Sequence, residues 1–105
     1  MANPLAGEVA IFIDGERRIC KLTLGALAEL EAELGDESLL ALIERFESGA
    51  YKARDVLAIL LAGLRGGGWD GTRRDFLRLD VRGGVEEAAR VAAKLLVAAF
   101  APFDE

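Results

Sequence analysis

A run of glycines in the middle of the chain is the first feature whose residue types could do chemistry. Residues 66–68 are all glycine, and Gly71 and Thr72 follow closely, which suggests a loop wrapped around a phosphate. A loop of the G-x-x-x-x-G-K-[ST] type needs its lysine to reach the phosphates and its hydroxyl to hold magnesium. No lysine precedes Thr72, and the run follows a predicted helix instead of a strand. The glycines are therefore predicted to end one helix and to connect it to the next.

Metal and nucleophile chemistry is limited by the residues that the chain lacks. It has no histidine and a single cysteine, Cys20, so one copy cannot supply a four-ligand zinc site, a Ser-His-Asp triad or a Cys-His pair. The acidic residues between positions 70 and 87 do not follow the D-x-[DN]-x-[DN]-G spacing of a calcium loop. Carboxylates alone could still hold magnesium or act in acid–base catalysis, but no constellation favours this. We expect a protein without a metal, without a cofactor and without enzymatic activity.

Two features of the second half of the chain favour a binding role instead. Four arginines, Arg73, Arg74, Arg78 and Arg82, cluster in one short stretch, where they form either a solvated face or a contact for an acidic partner segment. Trp69 stands alone in the glycine-rich loop. It either covers the edge of the core or anchors a docked partner, since tryptophan is enriched in binding hot spots.

The charge balance argues against a nucleic-acid partner. The 105 residues include 13 Lys and Arg against 18 Asp and Glu, for a net charge of −5, and nucleic-acid binding depends on basic residues that neutralise phosphates. The apolar runs fall well short of the ~18 residues of a membrane helix. No signal peptide is visible, and an unpaired cysteine fits a reducing compartment. We therefore expect a cytoplasmic protein that binds neither nucleic acid nor membrane.

The N-terminal part predicts a β-hairpin over about residues 8–22. Val9, Ile11 and Ile13 occupy alternate positions, as in a strand with one buried face. The pair Asp14-Gly15 follows, which suits a type I′ turn because both central residues need a positive φ. A two-stranded hairpin is marginal alone, so it must pack on the helices that come after it.

Hydrophobic periodicity and caps predict helices over about residues 24–34, 37–48, 53–65, 73–79 and 85–100. The first carries a leucine stripe, the third is apolar on most sides and is predicted to be the central helix, and the last has an alanine-rich face. No repeat or Pro/Ser-rich linker divides the chain. We predict one α+β domain over residues 1–105, with an N-terminal β-hairpin packed on a compact bundle of four to five α-helices.

The second helix is predicted from its cap and its apolar positions. Asp36 is placed to be its N-cap. Leu39, Leu40, Ile43 and Phe46 then follow at helical spacing, and we predict that these four form its buried face.

The order of these segments is similar to that of a known family. The chain reads N-P-L-A-G-E-V at residues 3–9, L-T-L-G-A-L-A-E-L-E at 22–31 and A-G-L-R-G-G-G at 62–68. With the hairpin between the first two stretches, it resembles the small tail proteins of gene transfer agents from Asn3 to about Phe100. This family carries both the label "tail tube protein" and the label "tail assembly chaperone" of phage-like particles.

The resemblance implies a non-enzymatic role in building a siphophage-like tail. A tail assembly chaperone would bind the tape-measure protein and then give way to the tail tube protein assembling around it, in the cytoplasm or on the phage-like particle. The alternative is a structural subunit of the tail tube. Such subunits need extensive β-sheet for stacked rings, whereas this chain offers one hairpin. Self-association stays an open alternative.

We place the partner-binding groove between the helix at 24–34 and the helix at 85–100, because apolar stripes on neighbouring helices can take an amphipathic partner helix. The predicted partner-binding residues are Leu27, Leu30, Leu34, Trp69, Arg73, Arg74 and Arg78.

Overall fold

The fold is an antiparallel hairpin followed by five helices, seen in a computed structural model that describes residues 2–3 and 6–100. The elements are β1 (Glu8–Ile13), β2 (Glu16–Lys21), α1 (Leu24–Leu34), α2 (Leu39–Ser48), α3 (Ala53–Gly66), α4 (Arg73–Phe76) and α5 (Gly84–Phe100). This order confirms the predicted α+β class.

Two helices depart from their predicted bounds by more than one residue. The helix expected from residue 37 begins at Leu39, because the hydroxyl of Ser38 accepts a hydrogen bond from the backbone N–H of Ala41 at 3.1 Å. The prediction that Asp36 is the N-cap is therefore wrong. The helix expected over 73–79 ends at Phe76, although its predicted cap is present: Thr72 accepts from the N–H of Asp75, whose carboxylate accepts from the N–H of Thr72.

The hairpin turns at the predicted pair and buries one face. Asp14 and Gly15 have φ values of 52° and 80°, the positive angles that a type I′ turn needs. Ile13 pairs with Glu16 across this turn. Ile11 and Cys20 are buried from the inner face, at 1% and 0% exposure. The sheet is therefore anchored on the helices by one face, as expected for a hairpin too small to be stable alone.

The outer edge of β1 is covered by the segment that precedes α5. The backbone N–H of Arg82 donates to the carbonyl oxygen of Phe12 at 2.9 Å, and the N–H of Asp14 donates to the carbonyl oxygen of Asp80 at 2.9 Å. These bonds form a short antiparallel bridge beside β1. They occupy backbone groups that a free edge strand would offer to another chain.

The outer edge of β2 is covered by the C-terminal end of α3. A Cβ atom built on Gly66 would overlap the carbonyl oxygen of Lys21, and one on Gly67 would overlap that of Ile19. Only a residue without a side chain allows the backbone of α3 to approach β2 so closely. Part of the glycine run is thus a packing surface, in addition to ending the helix as predicted.

Helix α3 lies at the centre of the core, as its apolar sequence predicts. It packs against β2, α1 and α5, and its residues Ile59, Leu60 and Leu64 are at most 1% exposed. The remaining elements bury their apolar residues around it. The largest fully buried side chains are Ile11, Leu30, Leu42, Ile59, Leu60, Leu64, Leu95, Val91 and Cys20.

Candidate partner-binding surfaces

The leucine stripe of α1 faces the core of the domain. Leu30 is 0% exposed, and Leu27 and Leu34 are half-buried against the core cluster. Leu30 therefore has no surface to offer a partner in this fold, whereas Leu27 and Leu34 offer part of theirs. The stripe is apolar, as predicted, but periodicity alone does not say whether an apolar face meets the chain's own core or a partner.

The expected groove between α1 and α5 does not match the packing of the helices. Each of these two helices packs against α3. The structure has grooves in other places, one between α1 and α3 and one between α2 and α5. The order in which helices lie side by side depends on tertiary contacts that the helical patterns do not encode.

The groove between α1 and α3, here the α1–α3 groove, has a volume of about 380 Å³ and a charged rim over an apolar floor that includes Leu61. The rim charges are compensated within the chain. Arg65 Nη1 lies 3.6 Å from Glu29 Oε1, and Arg73 Nη1 lies 2.9 Å from Glu33 Oε1. Ion pairs inside the domain thus occupy the charged groups that a partner would otherwise contact.

The groove between α2 and α5, here the α2–α5 groove, has a volume of about 470 Å³ and a mostly apolar lining. Val97 and Phe100 on α5 are 65% and 42% exposed. Phe46 on the α2 side stacks on Tyr51 with ring centroids 4.6 Å apart. Of the residues that line the groove, Glu47 is the one with a charge. The residues that line it are Ile43, Phe46, Glu47, Ala93, Leu96, Val97 and Phe100.

The apolar face of α2 is rotated relative to the prediction. Leu42 is the buried residue of the helix, at 0% exposure, whereas Leu40 is 63% exposed. Leu39, Ile43 and Phe46 flank Leu42 and are half-buried. The prediction that Leu40 belongs to the buried face is wrong. Helix α2 carries more apolar side chains than the rest of the chain covers. This excess is the feature of the sequence that could have indicated an exposed apolar surface.

Trp69 covers the edge of the core next to α4. Its ring meets Phe76 edge-on with centroids 6.4 Å apart, and its backbone N–H donates to the carbonyl oxygen of Leu64 at 2.9 Å. The side chain is half-buried and packs against the core cluster. The packing therefore favours the interpretation that Trp69 covers the edge of the core, while a docking role stays a prediction.

The arginine cluster divides into paired and unpaired members. Arg73 forms the ion pair with Glu33, and the guanidinium of Arg82 lies 4.4 Å from the centroid of the Phe12 ring. Arg74 and Arg78 are exposed, and neither forms an ion pair with a residue in the described part of the chain. The cluster is therefore not one continuous basic patch. An acidic partner segment would find in it the exposed guanidinium groups of Arg74 and Arg78, of which Arg78 already interacts with the charge of Asp75.

A buried ion pair that the sequence analysis missed fixes α2 to α3. Arg45 donates from Nε and Nη2 to the two carboxylate oxygens of Asp55 at 3.0 and 2.9 Å, and from Nη1 to Glu37 at 2.8 Å. Asp55 is 2% exposed and also accepts a hydrogen bond from the backbone N–H of Lys52 at 2.8 Å. Bidentate geometry of this kind is among the strongest that charged side chains form. The pair therefore sets the position of one wall of the α2–α5 groove.

The ionisation of this pair follows from its contacts. Burial by itself raises the pKa of Asp55, but the hydrogen bonds from Arg45 and Lys52 outweigh it and hold that pKa below its ordinary value. The hydrogen bond to Asp55 likewise raises the pKa of Arg45 above its already high value. Both groups are thus charged at neutral pH. An Arg–Asp pair ten positions apart leaves a weak sequence signal, since an acidic residue in the first turn of a helix, such as Asp55 in α3, is common.

The single cysteine is part of the core. Burial raises the pKa of the Cys20 thiol to about 12, so the thiol stays protonated and unreactive at neutral pH. Within residues 2–3 and 6–100, no group of three or more cysteine, aspartate and glutamate side chains is placed to hold a metal ion. Over the same residues, no helix combines the length and the apolar character needed to cross a membrane.

Comparison with known proteins gives one family for the chain. Residues 6–102 match the family described as "Phage tail tube protein, GTA-gp10". Comparison with curated proteins and with solved structures finds no significant match.

Proposed function

The chain belongs to this phage tail tube protein family, and we propose that it acts as a tail assembly chaperone that binds the tape-measure protein. Membership of the family gives it a role in the tail of a phage-like particle. The expected partners are the tape-measure protein and the tail tube protein that assembles around it. We also propose that this role involves no catalysis.

The observation that supports a chaperone most strongly is the α2–α5 groove. A helix-in-groove interaction needs an apolar channel between two elements with side chains left uncovered. Val97 and Phe100 supply such side chains, at 65% and 42% exposure. A tape-measure protein is expected to consist of long helices with apolar stripes, and a chaperone keeps such stripes from aggregating by covering them.

The hairpin supports the chaperone over a structural subunit of the tail tube. Subunits that join through stacked β-sheets need strand edges free to pair with a neighbour. Here the bonds from Arg82 and to Asp80 occupy part of the edge of β1. Gly66 and Gly67 lie against part of the edge of β2. A tube subunit that joined its neighbours through these edges would have to displace these contacts.

The experiment that tests the chaperone is co-expression with the tape-measure protein of the same locus, followed by size-exclusion chromatography. We expect a soluble complex of the two proteins, and an insoluble tape-measure protein when it is expressed alone. Co-expression with the tail tube protein in the absence of the tape-measure protein tests the structural-subunit alternative. If the chain forms no complex with the tape-measure protein and instead polymerises into tubes, alone or with the tail tube protein, the structural-subunit alternative takes its place.

A further inference from the structure

We infer that the α2–α5 groove is the site that takes the partner, and that the partner presents an amphipathic helix whose apolar stripe is bordered by lysine or arginine. This inference rests on the proposed function for the identity of the partner. The location of the site and the charge of the partner's flank come from the arrangement of side chains around the groove.

The carboxylates of the two grooves differ in whether they form ion pairs within the chain. Both glutamates on the rim of the α1–α3 groove, Glu29 and Glu33, are engaged by arginines of the same chain. Glu44 and Glu47 on α2 are exposed, and neither forms an ion pair with any residue that the structure describes. The α2 side of the α2–α5 groove therefore presents negative charge that the chain itself leaves uncompensated.

The position of these carboxylates defines the chemistry of the partner. Glu47 lines the groove, and Glu44 lies three residues earlier, so the two side chains are neighbours along the surface of α2. A helix lying in the groove would meet both along one flank. Basic residues on that flank would be attracted to them, while acidic residues would be repelled.

The dimensions of the groove define how much of a helix it holds. The longer wall of the groove is lined by residues of α5 from Ala93 to Phe100, a stretch that at a rise of 1.5 Å per residue spans about 11 Å, or two turns. A partner helix of about two turns places apolar residues at positions i, i+3 or i+4, and i+7 over that length. The exposed side chains of Val97 and Phe100 are adjacent on α5, three positions apart, and would contact this stripe.

A second copy of the chain fits the groove less well. Each copy has a net charge of −5, so two copies repel one another at low ionic strength. Leu77 is 58% exposed and lies between Arg74 and Arg78, but it follows the four-residue α4, which is too short to present an apolar stripe of two turns. The exposed apolar residue of α5 outside the groove, Val85, is 81% exposed but is followed by Glu86 and Glu87. It would bring further negative charge toward Glu44 and Glu47.

Site-specific photo-cross-linking tests the location. Val97→Cys carries a benzophenone maleimide in the groove, and Val85→Cys carries it on the same helix outside the groove. The two positions are matched, since both are exposed valines of α5. Cys20 is buried and protonated, so it does not compete for the label. In the complex with the tape-measure protein, we expect cross-links from position 97 and at least about tenfold fewer from position 85.

Substitutions test the two chemical features separately. Val97→Glu should weaken binding to the tape-measure protein at least about tenfold, in the range of a binding hot spot, while Val85→Glu leaves it within about twofold. Charge reversal at Glu44→Lys together with Glu47→Lys should weaken binding several-fold at low salt and less at high salt. The control for the charge is Glu31→Lys, at an exposed glutamate on α1 without an ion pair in the described structure.

The outcomes separate this inference from the proposed function. If wild-type chain and tape-measure protein form no complex, the chaperone function fails and this site fails with it. If they form a complex that cross-links equally from both positions, or that Val97→Glu leaves unchanged, the chaperone stands and the groove assignment is overturned. Cross-links from position 97 to a second copy of the chain would also overturn it, because the groove would then be a dimer contact.

Discussion

The α1–α3 groove and the α2–α5 groove are similar in size but differ in how the chain treats their charges and their apolar side chains. The first has apolar residues on its floor and ion pairs across its rim, such as Arg73 with Glu33 at 2.9 Å. The second leaves Val97 largely exposed and leaves Glu47 without an ion pair among the described residues. A groove whose rim charges are paired within the domain offers a partner few unpaired charges, whereas a groove with unpaired charges and exposed apolar side chains is available to a partner.

The largest expected effect on stability comes from removing Asp55, the buried partner of Arg45. In Asp55→Ala, Arg45 loses both of its bonds to the buried carboxylate, and breaking one side of a buried pair costs about 3 kcal/mol of unfolding free energy. Urea denaturation followed by circular dichroism measures this loss. Glu37→Ala is the control, because Glu37 is an exposed partner of the same arginine and its loss should cost at most about 1 kcal/mol. Equal losses of unfolding free energy in the two variants would contradict the conclusion that Asp55, and not Glu37, is the partner of Arg45 that fixes α2 to α3.

The next largest effect is expected where the end of α3 packs against β2. In Gly67→Ala the new Cβ atom overlaps the carbonyl oxygen of Ile19, and overpacking of this kind costs about 2 kcal/mol. The matched control is Gly25→Ala in α1, where the nearest neighbouring atom is 4.0 Å away. That change should stabilise the protein by about 0.5 kcal/mol through helix propensity. Thermal melts of both variants check the contrast, and a tolerated Gly67→Ala would mean that α3 and β2 are farther apart than described.

Acid should weaken the ion pair of Arg45 with Asp55, which fixes α2 to α3. The pKa of Asp55 is held below its ordinary value because the hydrogen bonds from Arg45 and Lys52 outweigh the cost of burial. A carboxylate with a lowered folded-state pKa contributes its full stabilisation above its unfolded pKa of about 3.9, and loses it as the pH falls through the folded-state value. We expect the urea midpoint of the wild type to drop more steeply below about pH 4 than that of Asp55→Asn. Parallel profiles for the two proteins would assign the acid sensitivity to other carboxylates.

The smallest effect is expected at the rim of the α1–α3 groove. Arg73 and Glu33 are 46% and 44% exposed, so solvent screens their attraction and the coupling should be at most about 0.5 kcal/mol. A double-mutant cycle with Arg73→Ala and Glu33→Ala measures it. A coupling above about 2 kcal/mol would contradict this expectation, because it would show that the ion pair of Arg73 with Glu33 holds α4 on α1.

Local features of this fold could be predicted from the sequence, because their determinants lie within a few residues of one another. The Asp14-Gly15 turn and the Thr23-capped helix over Leu24–Leu34 are of this kind, since the hydroxyl of Thr23 accepts from the N–H of Ala26 at 3.1 Å. The pairing of Arg45 with Asp55 depends on how α2 meets α3. The placement of the α2–α5 groove also depends on how helices meet, which the apolar pattern within a single helix does not encode.

The central claim, a chaperone that is not a building unit of the tube, is tested most directly by counting this chain in finished particles. Quantitative mass spectrometry of purified phage-like particles, with isotope-labelled peptides as standards, gives its copy number relative to the tail tube protein. The account predicts that the chain is present in the assembling cell and is depleted far below the tube protein in the particle. Copies in a fixed, near-stoichiometric ratio to the tube protein would contradict it and identify a structural subunit.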